Sequence, residues 1–345
     1  MRLRRYELTP QMQQYDDFDD RGMAHYLPYL MYFHRTDYHS DVLNTDRLGF
    51  RISYGATENA SVAQQPSQGP VKLFVGSSTA FGIGATSDAA TISSRLWTRY
   101  APSVPWLNFG GRSYNSTQEL MLFTLHLHLL PPVEEIVIMS GFNNLALSRL
   151  PAGQQGEHGA FFFCGEYYEQ MAELRRRHSK VRPGLGRLTG RKSPTAEDED
   201  DSTVPDTPEL ISRAVELTAR HLAVWRRLAA ATGARVSFVL QPLATWVREE
   251  HAPQEATLFK ELDKMSKLGI FEDLFGDTVT MENGRAYAEA LRVACEKQNV
   301  SFLDLNPVLA EAATAQDWLY VDRAHCTDHG YDLVARLLAE RLDLR

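Results

Sequence analysis

Apolar runs of strand length recur along the chain at Val71–Gly76, Val104–Phe109, Glu135–Ser140, Arg235–Gln241 and Val300–Leu305. Between them the apolar positions return with helical spacing, over Ala89–Tyr100, Ser116–Leu130, Pro208–Thr232, Glu282–Gln298 and His329–Leu342. Strands alternating with helices predict an α/β fold: a three-layer α/β/α sandwich around a central, mostly parallel sheet of about five strands, covered on both faces. In such sheets ligands collect at the carboxyl ends of the strands. The residues that leave those ends are therefore the first candidates for chemistry.

Two stretches fall outside the alternation. Residues 1–70 form an N-terminal extension expected to pack on the core, ahead of an α/β domain over 71–345. Its aromatic segment Tyr26–Phe33 reads either as a strap along the core, since aromatic rings bury much area, or as a wall of a substrate pocket. Ala60–Pro70, with Ser, Gln, Gly and Pro, reads as the linker into the first strand. The second stretch is an insertion over 150–207. It opens on the aromatic cluster Phe161, Phe162, Phe163, Tyr167 and Tyr168, turns basic at Arg175–Arg177, and then acidic at Glu197–Asp201. The charged part, Gly190–Pro205, reads as a mobile loop. The aromatic part reads as a lid over a bound ligand, with Phe161 and Phe162 touching substrate, or else as core. After the fourth strand, Gln241-Pro242-Leu243-Ala244-Thr245-Trp246 leaves the sheet at the same edge. Here Gln241 is expected to orient substrate and Trp246 to stack on it, although Pro242 simply ending the strand also explains the shape.

Composition narrows the partners. A chain of 345 residues with 43% hydrophobic residues can bury a substantial core, and its net charge of −8 argues against nucleic acid or an anionic membrane surface. No apolar run is long enough for a membrane span, and the basic start of the chain is followed by polar and acidic residues rather than a signal core. Cys164, Cys295 and Cys326 are scattered, without metal-ligand spacing or an even framework. A cytoplasmic protein is expected, with no metal and no cofactor.

The chemistry is carried by the two ends of the domain. Gly76-Ser77-Ser78 closes the first strand and sets a serine on a tight turn at the sheet's carboxyl edge. Far along the chain, Asp322 stands three residues before His325, just ahead of the last helix. An acid so placed can reach back to one ring nitrogen and leave the other free to take a proton from a serine.

Two further blocks complete a pattern that resembles the SGNH (GDSL-like) hydrolases. The family's Gly-Asp-Ser block is matched by Gly76-Ser77-Ser78, and its Asn-x-Gly-x-x-Gly block by Asn108-Phe109-Gly110-Gly111-Arg112-Ser113. Its Gly-x-Asn-Asp block is matched by Gly141-Phe142-Asn143-Asn144, and its Asp-x-x-His block by Asp322 and His325. The blocks occur in family order from about Val71 to the C-terminus, which is more specific than any one of them.

The resemblance implies a flavodoxin-like three-layer fold. It assigns a catalytic triad of Ser78, His325 and Asp322, and an oxyanion hole from the N–H groups of Ser78 and Ser113 and the side chain of Asn143. Three positions depart from the pattern. Ser77 replaces an Asp beside the nucleophile, Ser113 replaces the Gly whose N–H is a donor, and Asn144 replaces an Asp. The activity implied is that of a serine esterase on a small-molecule or carrier-bound ester. Acyl transfer from the same site is the second reading, and a decayed enzyme that only binds an acylated ligand the third.

Overall fold

The computed structural model describes residues 4–19, 29–64, 69–150, 155–162, 205–266, 271 and 275–345. A two-stranded hairpin, β1 (Ser53–Tyr54) with β2 (Asn59–Ala60), precedes the central sheet. The sheet holds β3 (Val71–Gly76), β4 (Trp106–Gly110), β5 (Val133–Ser140), β6 (Arg235–Leu240) and β7 (Ser301–Asp304), in the spatial order β4-β3-β5-β6-β7. Every neighbouring pair is parallel. β3 and β4 are buried along their whole length, as strands covered on both faces must be.

The helices form two sets. Ser116–His126, Thr207–Thr232 and Met281–Lys297 pack together on one side of the sheet. Ile92–Arg95, Leu305–Ala312 and Asp328–Arg341 form the other set. This is the three-layer sandwich expected from the alternation. The chain leaves β3 toward one edge and returns from β4 to pair β5 on the other side of β3, so the strand order reverses between β3 and β5. The crevice at such a reversal is where open sheets of this kind hold ligands.

Local chemistry moves some boundaries. The helix expected over Ala89–Tyr100 is a single 3₁₀ turn at Asp88–Ala90, then Ile92–Arg95 and a wider turn at Leu96–Tyr100, because Thr91 is extended and its side chain caps the Ser94 N–H. Helices at Pro253–Met265 and Leu305–Ala312 were not expected. The first carries proline in its first turn and a buried Glu255 whose Oε2 accepts from the Ala252 N–H, so its start is well specified.

The extension is joined to the domain through Arg51, whose side chain is fully buried. Its guanidinium pairs with Asp88 at 2.8 Å and donates to Tyr15 Oη and to the carbonyls of Phe81, Gly82 and Val42. A buried charge is tolerable only when its donors are paired in this way.

Glu119, on the helix Ser116–His126, is buried beneath the carboxyl edge. Its Oε1 accepts from Ser140 at 2.7 Å, and its Oε2 has no partner among the described residues. Burial pushes its carboxyl up to about 8, against the opposing pull of that one hydrogen bond. A folded-state value above the unfolded one means stability is greatest below the unfolded value of 4.5 and falls as pH rises toward about 8. Glu119→Gln keeps the acceptor and removes the titration. It should flatten the decline in melting temperature between about pH 5 and about pH 8, where the parent loses up to about 1.4 kcal/mol per pH unit. Parallel melting curves for parent and variant across that range would show the carboxyl to be ionised throughout.

Candidate active site

Gly76 ends β3 with φ +154, and a Cβ there would lie 2.1 Å from the Met139 carbonyl oxygen. Only glycine lets the chain turn so tightly against β5. Ser77 then stands at the N-cap position of the short helix Ser78–Phe81, which puts Ser78 at the helix's first position. That helix lies directly on β4, for a Cβ at Gly110 would fall 2.1 Å from the Phe81 nitrogen. The family-like glycines are thus close-approach positions that bring the serine to the sheet edge.

His325 is presented by the loop that precedes the helix Asp328–Arg341. The loop is pinned by the pairing of Tyr320 with Cys326, by Val321 N–H to the His325 carbonyl at 2.9 Å, and by Thr79 Oγ1 donating to the Ala324 carbonyl at 3.1 Å. His325 Nε2 lies 2.7 Å from Ser78 Oγ, and Nδ1 lies 2.8 and 3.0 Å from the two oxygens of Asp322. Asp322 also accepts from the backbone N–H groups of Ala324 and His325, at 2.9 and 2.8 Å. Burial alone would raise its pKa, but the His325 ring and these hydrogen bonds hold the carboxyl down, at about 2. An ionised Asp322 fixes the ring as the Nδ1–H tautomer, so Nε2 carries the lone pair that faces the serine hydroxyl.

The other two blocks arrive from β4 and β5. Beyond β4 the turn is closed by Gly111 N–H to the Gly76 carbonyl at 2.9 Å and by Tyr114 N–H to the Gly111 carbonyl at 3.1 Å. Within it Ser113 takes the left-handed conformation, φ +56, which glycine adopts more readily. Among the described residues no backbone carbonyl accepts from the N–H of Ser78 or of Ser113. Beyond β5, Gly141 at φ +114 starts the helix Phe142–Leu147, and Asn143 Nδ2 donates to the Tyr114 carbonyl at 2.7 Å. Ser78, Ser113, Asn143, Gln241, Asp322 and His325 all line one cavity of about 320 Å³.

The remaining expected residues divide. Gln241 is buried, with Oε1 accepting from Ser77 Oγ at 3.2 Å and Nε2 3.4 Å from Thr79 Oγ1, so it braces both neighbours of Ser78 while lining the cavity. Phe162 lines the cavity; Phe161, half-buried beside it, does not. The stacking role for Trp246 is corrected. Its indole is buried away from the cavity, donates to the Thr278 carbonyl at 3.1 Å, and packs edge-on against Phe142 and Tyr287. It supports the cavity from behind because the short helix Ala244–Val247 turns it into the core. Asn144 is structural here: its amide ties Ser116 Oγ to Thr218 Oγ1, each at 2.7 Å, and its oxygen accepts from the Ser116 N–H. Phe163, Cys164, Tyr167, Tyr168 and the charged part of the insertion lie outside the described residues.

Sequence reading missed the other wall. Leu262, Phe271 and Phe275 line the cavity with Phe142, and Phe271 and Phe275 each pack against Phe142 and against each other. At its rim Arg323 makes a two-pronged ion pair with Asp263, at 2.9 and 2.8 Å, and its guanidinium lies over the rings of Phe259 and Phe271. The arginine sits between Asp322 and His325 in sequence, a visible signal, but its partner lies 60 residues away.

No protein-family model matches the chain, and no curated protein matches it. Among solved structures, it is similar to a lipolytic protein of the G-D-S-L family from Veillonella parvula, at 14% identity over 79% of this chain and 97% of that one, with a TM-score of 0.42. It is likewise similar to the aryl esterase of M. smegmatis, at 13% identity over 81% and 100% of the two chains and a TM-score of 0.42. An extracellular lipase of Streptomyces rimosus gives 12% identity over 79% and 98%, with a TM-score of 0.40. The four sequence blocks that resemble the SGNH pattern meet at one cavity at the carboxyl edge of the sheet.

Proposed function

We propose that the chain is a serine hydrolase that cleaves an ester through an acyl-enzyme on Ser78. The observation that carries this reading is the line Ser78 Oγ to His325 Nε2 to Asp322, at 2.7 and 2.8 Å, opening on a cavity. A serine hydroxyl is a weak nucleophile until a base takes its proton as it attacks. In the proposed mechanism His325 Nε2 takes that proton while Asp322 stabilises the imidazolium. The carbonyl oxygen becomes an oxyanion received by the N–H groups of Ser78 and Ser113 and by the Asn143 amide. His325 then returns the proton to the leaving alcohol. Water, deprotonated by the same nitrogen, releases the acid and restores Ser78.

The cavity supports a substrate with an apolar acyl group. Ser78, Ser113, Asn143, Gln241, Asp322 and His325 line one side of it, Asp263, Ser266 and Arg323 add polar lining, and Phe142, Phe162, Leu262, Phe271 and Phe275 supply apolar wall. Phe162→Ala should therefore shift preference along a p-nitrophenyl ester series by about tenfold in relative kcat/KM, the effect of a methylene-scale mismatch. Phe161→Ala, away from the cavity, should leave the profile unchanged. An unchanged profile in both variants would place the aromatic pair in the core instead.

Treatment with a fluorophosphonate followed by peptide mapping tests the function itself. Modification at Ser78 is expected, and a folded protein that stays unmodified would overturn the reading. With the acyl-enzyme formed, competing alcohols in the assay separate hydrolysis from acyl transfer by product.

A further inference from the structure

The turn that holds Ser113 is gripped by the N-terminal extension. Tyr32 Oη donates to the Arg112 carbonyl at 2.9 Å. The Tyr32 carbonyl in turn accepts from Tyr114 Oη at 2.6 Å, with the two rings edge to face. From the other side of residue 112, His34 Nε2 accepts the Arg112 N–H at 3.1 Å. That bond requires a neutral ring whose Nδ1–H donates to the Gly49 carbonyl at 3.0 Å. Burial, reinforced by the Arg112 charge, keeps His34 neutral by holding it down at about 3.

The Arg112 carbonyl and the Ser113 N–H belong to one peptide unit. Because that unit is planar and trans, its C=O and N–H point in opposite directions, so whatever fixes one aims the other. A hydrogen bond to the carbonyl also polarises the N–H across the unit. Ser113 has a left-handed φ that its Cβ disfavours, and such a conformation persists only where the surroundings hold it.

We infer that Tyr32 is a positioning residue for the oxyanion hole, aiming the Ser113 N–H by holding the Arg112 carbonyl. This rests on the hydrolase reading for its consequence in catalysis, but not for its geometry. The left-handed serine at position 113 and the tyrosine of the extension form one device: the tie to the Arg112 carbonyl holds a turn that glycine would adopt unaided. The extension is then part of the active site's scaffold, although Tyr32 touches no reacting atom.

Tyr32→Phe tests this, because it removes one hydroxyl and keeps the ring packing. Two readouts are needed, namely the rate of fluorophosphonate modification and the amide signal of Ser113 in an isotope-labelled sample. The expected result is a fall in modification rate of about tenfold or more, with KM for a cleaved ester nearly unchanged and a moved Ser113 amide signal. In a Ser113→Gly background the same Tyr32→Phe change should cost less than about threefold, since glycine holds the left-handed turn without the tie. An unmoved Ser113 amide signal in Tyr32→Phe overturns the inference even if the parent proves unreactive, which would itself overturn only the hydrolase reading. An equal rate penalty in the serine and glycine backgrounds, or a lowered melting temperature with a normal modification rate, also overturns it.

Discussion

Ser78→Ala is expected to lower turnover by about four to six orders of magnitude while the protein stays folded. In the proposed mechanism the loss is large because the three groups act as a unit: without Oγ there is no atom for the acyl group to occupy and nothing for His325 to deprotonate. The oxyanion donors and the cavity would remain, so a residue of catalysis over water is expected rather than none. The fold should be indifferent. Ser78 stands at the first position of a short helix where alanine is well tolerated, and its hydroxyl is hydrogen-bonded to His325. A melting temperature close to the parent's, together with turnover at background on an ester the parent cleaves, is the outcome that supports the mechanism. Equal turnover in the two proteins would remove Ser78 from the chemistry.

How far the sequence discloses this site depends on the distance over which each feature is encoded. The strands of the sheet were legible because a parallel strand buried on both faces must be apolar along its length, and β3, β5 and β6 begin and end within two residues of the runs Val71–Gly76, Glu135–Ser140 and Arg235–Gln241. β4 starts at Trp106 rather than Val104, since Pro105 has no N–H to give the ladder, although its carbonyl accepts from Lys72. The candidate triad was legible for a different reason: Asp322 and His325 are local to one loop, and Ser78 stands at a strand exit marked by glycine. Local sequence could not say which way a loop residue turns. Trp246 leaves the same sheet edge as Gln241, yet one faces the core and the other the cavity. Nor could it pair segments that meet only in space. Arg323 with Asp263, and Tyr32 with Arg112, are joined across 60 and 80 residues, and no spacing rule reaches that far. The three departures from the family-like blocks read differently once those partners are known. Ser77 is bonded to Gln241, Asn144 ties two helices, and the peptide that carries the Ser113 N–H is held by Tyr32.

Asn143→Ala should slow acylation by about a hundredfold to a thousandfold, the usual cost of one oxyanion donor. The side-chain amide has two hydrogens. One goes to the Tyr114 carbonyl at 2.7 Å, which orients the group, and the residue lines the cavity beside Ser78. Alanine removes both hydrogens, so the variant also leaves a buried carbonyl short of its donor, at a stability cost of about 1–3 kcal/mol. The two effects separate by magnitude. A domain with about 5–15 kcal/mol of stability that loses about 2 remains almost wholly folded well below its melting temperature, so partial unfolding can account for only a small fraction of a hundredfold rate loss. Single-turnover acylation measured at such a temperature, alongside the melting curve, therefore distinguishes a donor from a brace. A slowed acylation step with a modest drop in melting temperature, and with substrate binding little changed, assigns the second hydrogen to the oxyanion. A marked drop in melting temperature with normal acylation would make Asn143 a structural tie to the Tyr114 turn and leave the oxyanion to the two backbone N–H groups.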